Sequence, residues 1–319
     1  MDQAAADKFH FQKAENSLAF KPFQLEDRPL ITRMATLFRP FSCEYHFANL
    51  FCWQRACRLS WTLYNDRVII YDSSDHCAYM PLGEPLDPEQ LAALSMELLG
   101  NGLAPDFSLV PEGYLRHFPW INRCYTVRED RDDAEYLYDV ERLYRLNGKK
   151  LHKKRNLMSQ FHRACPGAAV EPLSAGLRQK AMELAGNLFK QQKTVSRTLD
   201  QEFQAIAAAL DAFEPLNLEG IALVHQERVI AFSVFSRLSP STYDVQFEKS
   251  DPRFKGAAQV INYHTAAYLR DKCRYLNREQ DLGIEGLRRA KLSYGPEQLI
   301  IPRTLKFKSP SGGECDEQP

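Results

Sequence analysis

No stretch of this sequence approaches the roughly 18–20 consecutive apolar residues that a membrane-spanning helix needs. The opening residues, Met1-Asp2-Gln3-Ala4, carry neither a basic n-region nor an apolar h-region, so no secretory signal is legible. Net charge is also missing. Lys plus Arg number 41 and Asp plus Glu number 41, which excludes a global basic field for steering nucleic acid and leaves only local patches to consider. The eight cysteines (43, 52, 57, 77, 124, 165, 273 and 315) form no CxxC pair and no Cys/His ligand spacing. They read as free thiols of a cytoplasmic protein, and no metal site is expected. No internal repeat shows as sequence identity.

What is present is a soluble globular composition, 44% hydrophobic and 26% charged over 319 residues, long enough for two domains. Residues 1–17 read as a loosely held start. The tail 309–319 is rich in Pro, Gly, Ser and acids without an apolar period, and reads as disordered. Residues 59–64 and 67–71 are β-rich runs around Asn65-Asp66, which predicts a hairpin. A helix is expected over 88–99, with Leu91, Leu94 and Leu98 on one face and Gly100 at the stop. A strand over 105–110 and a short helix over 112–117 complete a first α/β unit. Residues 135–163 are first aromatic and acidic, then strongly basic.

Farther on, a helix over 177–190 presents Leu177, Ala181, Leu184 and Leu188. Thr198 and Gln201 have capping-box spacing ahead of a helix with Phe203, Ile206, Leu210 and Phe213 inward. Strands follow at 220–224, 229–235 and 242–249, then a helix over 257–272. A strand at 274–277, a helix over 284–290 and an extended segment at 298–307 end the pattern. The domains expected are 18–146 and 177–308, joined by a basic bridge at 147–176.

The segment Arg253-Phe254-Lys255-Gly256-Ala257-Ala258 lies between the third of these strands and a helix. First-turn N–H groups lack intrahelical acceptors and the dipole makes that end positive, so an anion is favoured there. Gly256 and Ala258 let a pyrophosphate approach the backbone, and Arg253 and Lys255 add charge. The same hexapeptide serves equally as a basic loop that only caps a helix.

Three strands, this R-x-x-G-x-A segment, a helix and a strand resemble the GNAT acyltransferase fold, whose loop binds acyl-CoA. Arg253, Gly256 and Ala258 are the matching positions. Two further segments narrow the resemblance, one from Asn147 to Asn156 and one from Asn277 to Pro296. With the early segment from Phe41 to Trp53, they are similar to the bacterial family named for the C-terminal domain of phosphatidylglycerol lysyltransferase. The resemblance spans about residues 20–308. It implies an α/β (α+β) architecture of tandem GNAT-like acyl-CoA N-acyltransferase folds, each a mixed, mostly antiparallel sheet flanked by helices. It also implies kinship with the lipid lysyltransferases and the Fem-type aminoacyltransferases. The donor it implies is either acyl-CoA or aminoacyl-tRNA, with no tightly bound cofactor, and the acceptor an amine or a hydroxyl.

The residues can be read beside that resemblance. Lys149, Lys150, Lys153, Lys154 and Arg155 crowd one segment. On a helix, Lys149/Lys153 and Lys150/Lys154 would stack at i,i+4 at a cost of a few tenths of a kcal/mol per pair. CoA phosphates, a tRNA backbone or an anionic lipid surface would relieve that repulsion. Pairing with the acidic stretch 129–141 would relieve it too. Lys291 adds to the anion-binding set. Glu279 and Asp281, two residues apart in an extended segment, would face one way and hold or deprotonate an amine nucleophile, or else cap the following helix. Tyr294 is a general-acid candidate by analogy with GNAT enzymes, or a packing tyrosine. A non-catalytic module that binds RNA or another anionic ligand is the alternative function, and the composition leaves the oligomeric state open.

Overall fold

The computed structural model describes residues 18–38, 42–191 and 197–308. The expected loose start, the tail and Phe41 lie outside the described residues, as does the side chain of Thr198, whose backbone is already helical. The chain begins with α1 (Arg28–Phe38) and α2 (Phe47–Cys57), which lead into β1 (Leu59–Tyr64), β2 (Arg67–Asp72) and β3 (Cys77–Tyr79). Asn65 and Asp66 both take positive φ, +46° and +60°, the backbone a two-residue hairpin needs. Helix α3 (Pro88–Gly100) follows. Its start is a capping box in which Asp87 and Gln90 bond each other's backbone, with Pro88 in the first turn, where a missing N–H costs nothing. Then come β4 (Phe107–Val110), α4 (Glu112–His117), β5 (Tyr125–Glu129), β6 (Glu135–Asp139), α5 (Val140–Arg145), α6 (His152–Ala164) and β7 (Ala169–Pro172).

The remainder is α7 (Ala175–Lys190), α8 (Arg197–Asp211), β8 (Glu219–His225), β9 (Arg228–Ser239), β10 (Thr242–Ser250), α9 (Ala257–Leu269), β11 (Tyr275–Asn277), α10 (Glu285–Leu292), β12 (Gln298–Ile300) and β13 (Arg303–Phe307). These strands form two sheets, ordered β1-β2-β3-β4-β13-β5 and β12-β6-β11-β10-β9-β8-β7. The same unit occurs in each. Three antiparallel strands lead through a helix to a fourth strand that pairs parallel with the third, β3 with β4 and β10 with β11. This is the tandem architecture expected, although sequence identity shows no repeat.

The sheets exchange strands. β6 is inserted between β11 and β12, and β13 between β4 and β5. The expected division at residue 146 therefore does not coincide with the division between the sheets. Local composition could not reveal this, because strand pairing across 140 residues is set by packing rather than propensity.

One core fills the space between the two halves. Phe23, Ile31 and Leu50 pack in the same cluster as Ala205, Ile206, Phe232 and Phe247. Trp53 of α2 stacks on Phe247 of β10 with centroids 6.1 Å apart. A second core lies around α9, and a third around α3. Helix α2 is thereby clamped across the face of β10, which places its polar side chains against the centre of the second sheet.

Candidate active site

β10 and β11 pair at only three positions, the last being Asp244 with Asn277. Beyond them β10 continues to Ser250 while β11 ends, so the strands part. A register shift between Asp244 and Phe247 marks a bulge in β10. Its effect on facing is visible in the packing. Tyr243 and Val245 belong to the α9 core, whereas Phe247 belongs to the α2 core. A bulge re-aims side chains in this way at the cost of regular pairing.

Asp244 is fully buried on the α2 side. Asn49 of α2 donates from Nδ2 to Asp244 Oδ2 at 2.9 Å, to Glu279 Oε1 at 3.2 Å and to the Cys43 carbonyl at 3.1 Å. Glu135, at the head of the exchanged strand β6, accepts from the Cys43 N–H at 3.1 Å, and also from Ser42 and the Asn277 amide. Glu44 accepts from Gln280 at 2.7 Å. Four carboxyl groups thus converge from four segments that are distant in sequence.

Few cations oppose them. Burial, then the charge of Glu135, pushes the Asp244 carboxyl well above the usual range, against the Asn49 hydrogen bond. Burial, then Asp244 and Glu44, does the same to Glu279. Glu44 is pushed up to about 8 by burial and then by Glu135. Burial, with Asp244 next, raises the Cys43 thiol far above its ordinary value, which keeps it protonated and a poor nucleophile. The Cys43 thiol and the Asp244 and Glu279 carboxylates lie within 4.8 Å of one another. A cation could be held there, although the Asn49 amide already bridges the two carboxylates. Two buried acceptors, Asp244 Oδ1 and Asn49 Oδ1, have no partner among the described residues. Such atoms are uncommon in a finished core.

Lys291 lies beneath this group and is nearly fully buried. Its ammonium donates to the carbonyls of Arg278 at 2.5 Å, Glu279 at 3.0 Å and Gln280. All three N–H bonds are therefore used on the loop that presents Glu279. Burial and then Arg278 bring Lys291 down to about 8. Its contacts hold the loop that carries Glu279.

Glu279 and Asp281 do not share a face. Glu279 takes a φ of +52°, which breaks the extended alternation and turns its carboxylate toward Asn49. Asp281 points the other way. It accepts from Arg288 at 2.9 and 2.7 Å, Arg131 at 3.2 Å, the Tyr136 hydroxyl at 2.5 Å and the Gly283 N–H at 3.0 Å. Burial alone would raise its pKa, but the Arg288 and Tyr136 hydrogen bonds outweigh burial and hold it below the usual range. Asp281 is a lock for the loop and a poor base. Tyr294 is buried in the α9 core, its phenol pushed up to about 12 by burial. Its ring lies beneath the Lys154 ammonium at 4.2 Å and the Arg278 guanidinium at 5.3 Å.

The 253–258 loop does sit at a helix start, with Gly256 as the N-cap of α9. Its φ is +94°, and an added Cβ would collide with the Leu157 carbonyl and sit 3.0 Å from Phe161 Cβ. Close approach of α6 thus accounts for the glycine. Arg253 is fastened to Asp251 through Nε at 3.0 Å and Nη2 at 2.6 Å. Lys255 is exposed, Ala257 buried and Ala258 half-buried.

The basic run is not one helical face. Lys149 and Lys150 lie in a 3₁₀ turn and α6 begins at His152, so the expected Lys149/Lys153 and Lys150/Lys154 stacking does not form in one α-helix. Arg155 turns inward to the carbonyls of Leu146 and Gly148. Lys149, Lys150 and Lys153 are exposed, and Lys154 is half-buried. An open cavity of about 350 Å³ is lined by Gly148, Lys149, His152 and Arg155. The acidic stretch does not neutralise this run, since Glu141 pairs with Arg145 and Glu129 with Arg303.

Sequence reasoning singled out Glu279, and Lys291 for anion binding rather than for the carbonyl contacts it makes, but not Glu44, Asn49, Glu135 or Asp244. One signal was available, an Asp flanked by the buried Tyr243 and Val245 within β10. The segment containing Cys43, Glu44 and Asn49 entered only through resemblance, with no role attached.

Comparison with known proteins bears on the family and the fold. The family described as phosphatidylglycerol lysyltransferase, C-terminal, matches residues 35–303. A curated uncharacterized protein of Mycoplasmoides gallisepticum is 24% identical over 193 residues; the match covers 58% of this chain and 60% of that protein's length. A conserved protein of unknown function from Bacteroides thetaiotaomicron VPI-5482 superposes with a TM-score of 0.81 at 28% identity, covering 91% of this chain and all of that one. The C-terminal domain of a putative lysylphosphatidylglycerol synthetase from Agrobacterium fabrum gives 0.61 at 14% identity, covering 90% and 92%. FemX gives 0.56 at 9% identity, covering 91% and 98%. The last two show likeness of fold. No helix among the described residues is long and apolar enough to cross a membrane.

Proposed function

The chain belongs to the family of the phosphatidylglycerol lysyltransferase C-terminal domain, and on that premise we propose that it moves an aminoacyl group from a charged tRNA to an amine or hydroxyl acceptor. The reaction centre in this reading is the acid cluster of Glu44, Glu135, Asp244 and Glu279. One observation carries it. Four carboxyl groups converge with two buried acceptors unpartnered, and the charge of Lys291, whose N–H bonds go to carbonyls, does not offset burial and mutual repulsion at Asp244 and Glu279, so the site is short of cationic complement. The α-ammonium of an aminoacyl ester supplies a cation, whereas an acetyl group carries no charge. The Gly256 loop supports the same choice, because α6 packs where a side chain there would project.

The chemistry needs only positioned protein groups. The acceptor nitrogen or oxygen attacks the ester carbonyl. Binding of the α-ammonium offsets the repulsion among the acids and lets half-buried Glu279 ionise, and its carboxylate then takes the acceptor's proton. The carbon–oxygen bond to the terminal ribose breaks, and the ribose oxygen leaves as a hydroxyl with the proton that Glu279 took. Holding both substrates where β10 and β11 part contributes through orientation. A module that only binds RNA gives no reason for keeping four uncompensated carboxyl groups, whose burial is costly.

The test is transfer itself. The full chain is incubated with labelled lysyl-tRNA or alanyl-tRNA and phosphatidylglycerol vesicles or small amines, and acceptor-linked label is counted. In parallel, melting is followed with acetyl-CoA and with lysinamide. Ligand at about a hundred times Kd adds roughly 2.7 kcal/mol. Stabilisation by lysinamide and none by acetyl-CoA is expected; the reverse pattern defeats the proposal.

A further inference from the structure

Where β10 and β11 part, the space is occupied by cations rather than by apolar packing. Arg278 donates from Nη2 to Glu248 Oε1 at 2.9 Å. The second oxygen of Glu248 is taken by Asn262 at 3.3 Å. Arg278 Nη1 is buried and has no partner among the described residues. Lys154 lies over Tyr294, the ring that Arg278 also faces, and Lys291 bonds the Arg278 carbonyl. Arg278 and Lys154 are therefore grouped against one carboxylate on this side of the loop, with Lys291 bonded to the loop itself and the acid cluster on the other side. An unsatisfied charged donor is among the costlier features a protein interior can keep.

We propose that the parting of β10 and β11 is a phosphate subsite, in which Arg278 and Lys154 take the terminal phosphodiester of an RNA end. Mutual repulsion of the cations is consistent with this. Burial and then Arg278 lower the pKa of both Lys154 and Lys291, and an anion would relieve both effects. A guanidinium with a spare N–H is suited to phosphate oxygens. RNA is favoured over an isolated phosphate because the charge continues outward. Exposed Lys149, Lys150 and Lys153 lead along the 3₁₀ turn and α6 from the surface to half-buried Lys154. The parting of β10 and β11 is thus bipolar, with the acid cluster on one side of the Arg278–Gln280 loop and Arg278 and Lys154 on the other. That polarity matches a ligand that carries an ammonium group and a phosphate on the two sides of an ester.

The choice of ligand rests on the donor reading above, and the experiment separates the two. The probe is an uncharged RNA hairpin ending in single-stranded CCA, with affinity to the full chain read by fluorescence anisotropy across a salt series. Lys154→Ala is expected to weaken binding about tenfold and to reduce the salt slope by about one. Arg278→Lys keeps the charge but loses the fork, and it should weaken binding as well. Removing the last two nucleotides should cancel the Lys154→Ala effect, since the phosphate it contacts is then gone. Lys154 is half-buried at the surface end of the group, so its variant should keep the wild-type melting temperature. Wild-type affinity in both variants overturns the subsite, as does a Lys154 effect that survives shortening of the RNA. Vesicles of phosphatidylglycerol form a separate arm. If their sedimentation with the protein, and not RNA binding, depends on Lys154, the phosphate is a lipid's and the assignment to RNA is wrong. Loss of transfer with intact Lys154-dependent RNA binding would instead defeat only the donor chemistry.

Discussion

Glu44 gives the most quantitative test of the acid cluster. Its carboxyl is raised from 4.5 to about 8 by burial and Glu135, so the folded chain binds this proton more tightly than the unfolded chain. Between pH 4.5 and 8 the native state holds more protons, and stability must fall as pH rises through that window. For this one group, the linkage relation gives a loss of about 2.5 kcal/mol between pH 5 and pH 7. Glu44→Gln removes the titration and keeps an oxygen for the Gln280 amide, which donates at 2.7 Å. Urea denaturation at pH 5, 6 and 7 should show that the variant loses less stability than wild type by about 2 kcal/mol over the range, with an unchanged m-value. At pH 7 the variant should be the more stable protein. Parallel pH profiles for the two proteins would refute the reasoning, because they would mean that Glu44 is ionised and solvated in the folded state.

Three other perturbations follow from named contacts. Gly256→Ala combines a positive φ with a collision against α6 and should cost at least about 3 kcal/mol by chemical denaturation; a loss under 1 kcal/mol would show that α6 is not packed there. Asp281→Asn leaves Arg131 and Arg288 without their shared carboxylate and should destabilise by about 3 kcal/mol, with a stability loss at wild-type pH dependence above pH 5. Expressing residues 18–146 alone removes β13 from the first sheet and strands β6 outside the second. That fragment should fail to unfold cooperatively in calorimetry, whereas co-expression with 147–319 should restore a soluble complex.

Much of the second half was legible because its strands and helices are long and periodic. The turn at Asn65-Asp66, the helix starting at Pro88 and the order from β8 to β11 all follow from local chemistry. The exchange of β6 and β13 was not legible, since Glu135–Asp139 and Arg303–Phe307 carry no mark of a distant partner. The site divides the same way. Glu279 and Lys291 stood out as charges in a segment singled out by resemblance. Asp244 was hidden in a strand whose bulge reverses its facing, and Asn49 in a helix with apolar neighbours. Asp281 looked equivalent to Glu279 until the positive φ at Glu279 separated them. Gly256 shows the converse case, in which a short motif has two physical explanations and packing against Leu157 supplies one.

The most direct test of the central claim compares single-turnover aminoacyl transfer by wild type, Glu279→Gln and Arg253→Glu under the same saturating charged tRNA and acceptor. If the acid cluster is the reaction centre, Glu279→Gln should slow transfer about 10²–10⁴-fold, the range for loss of a general base, while Arg253→Glu transfers at close to the wild-type rate. An active Glu279→Gln protein beside an inactive Arg253→Glu protein would contradict it and return the chemistry to the loop at Gly256.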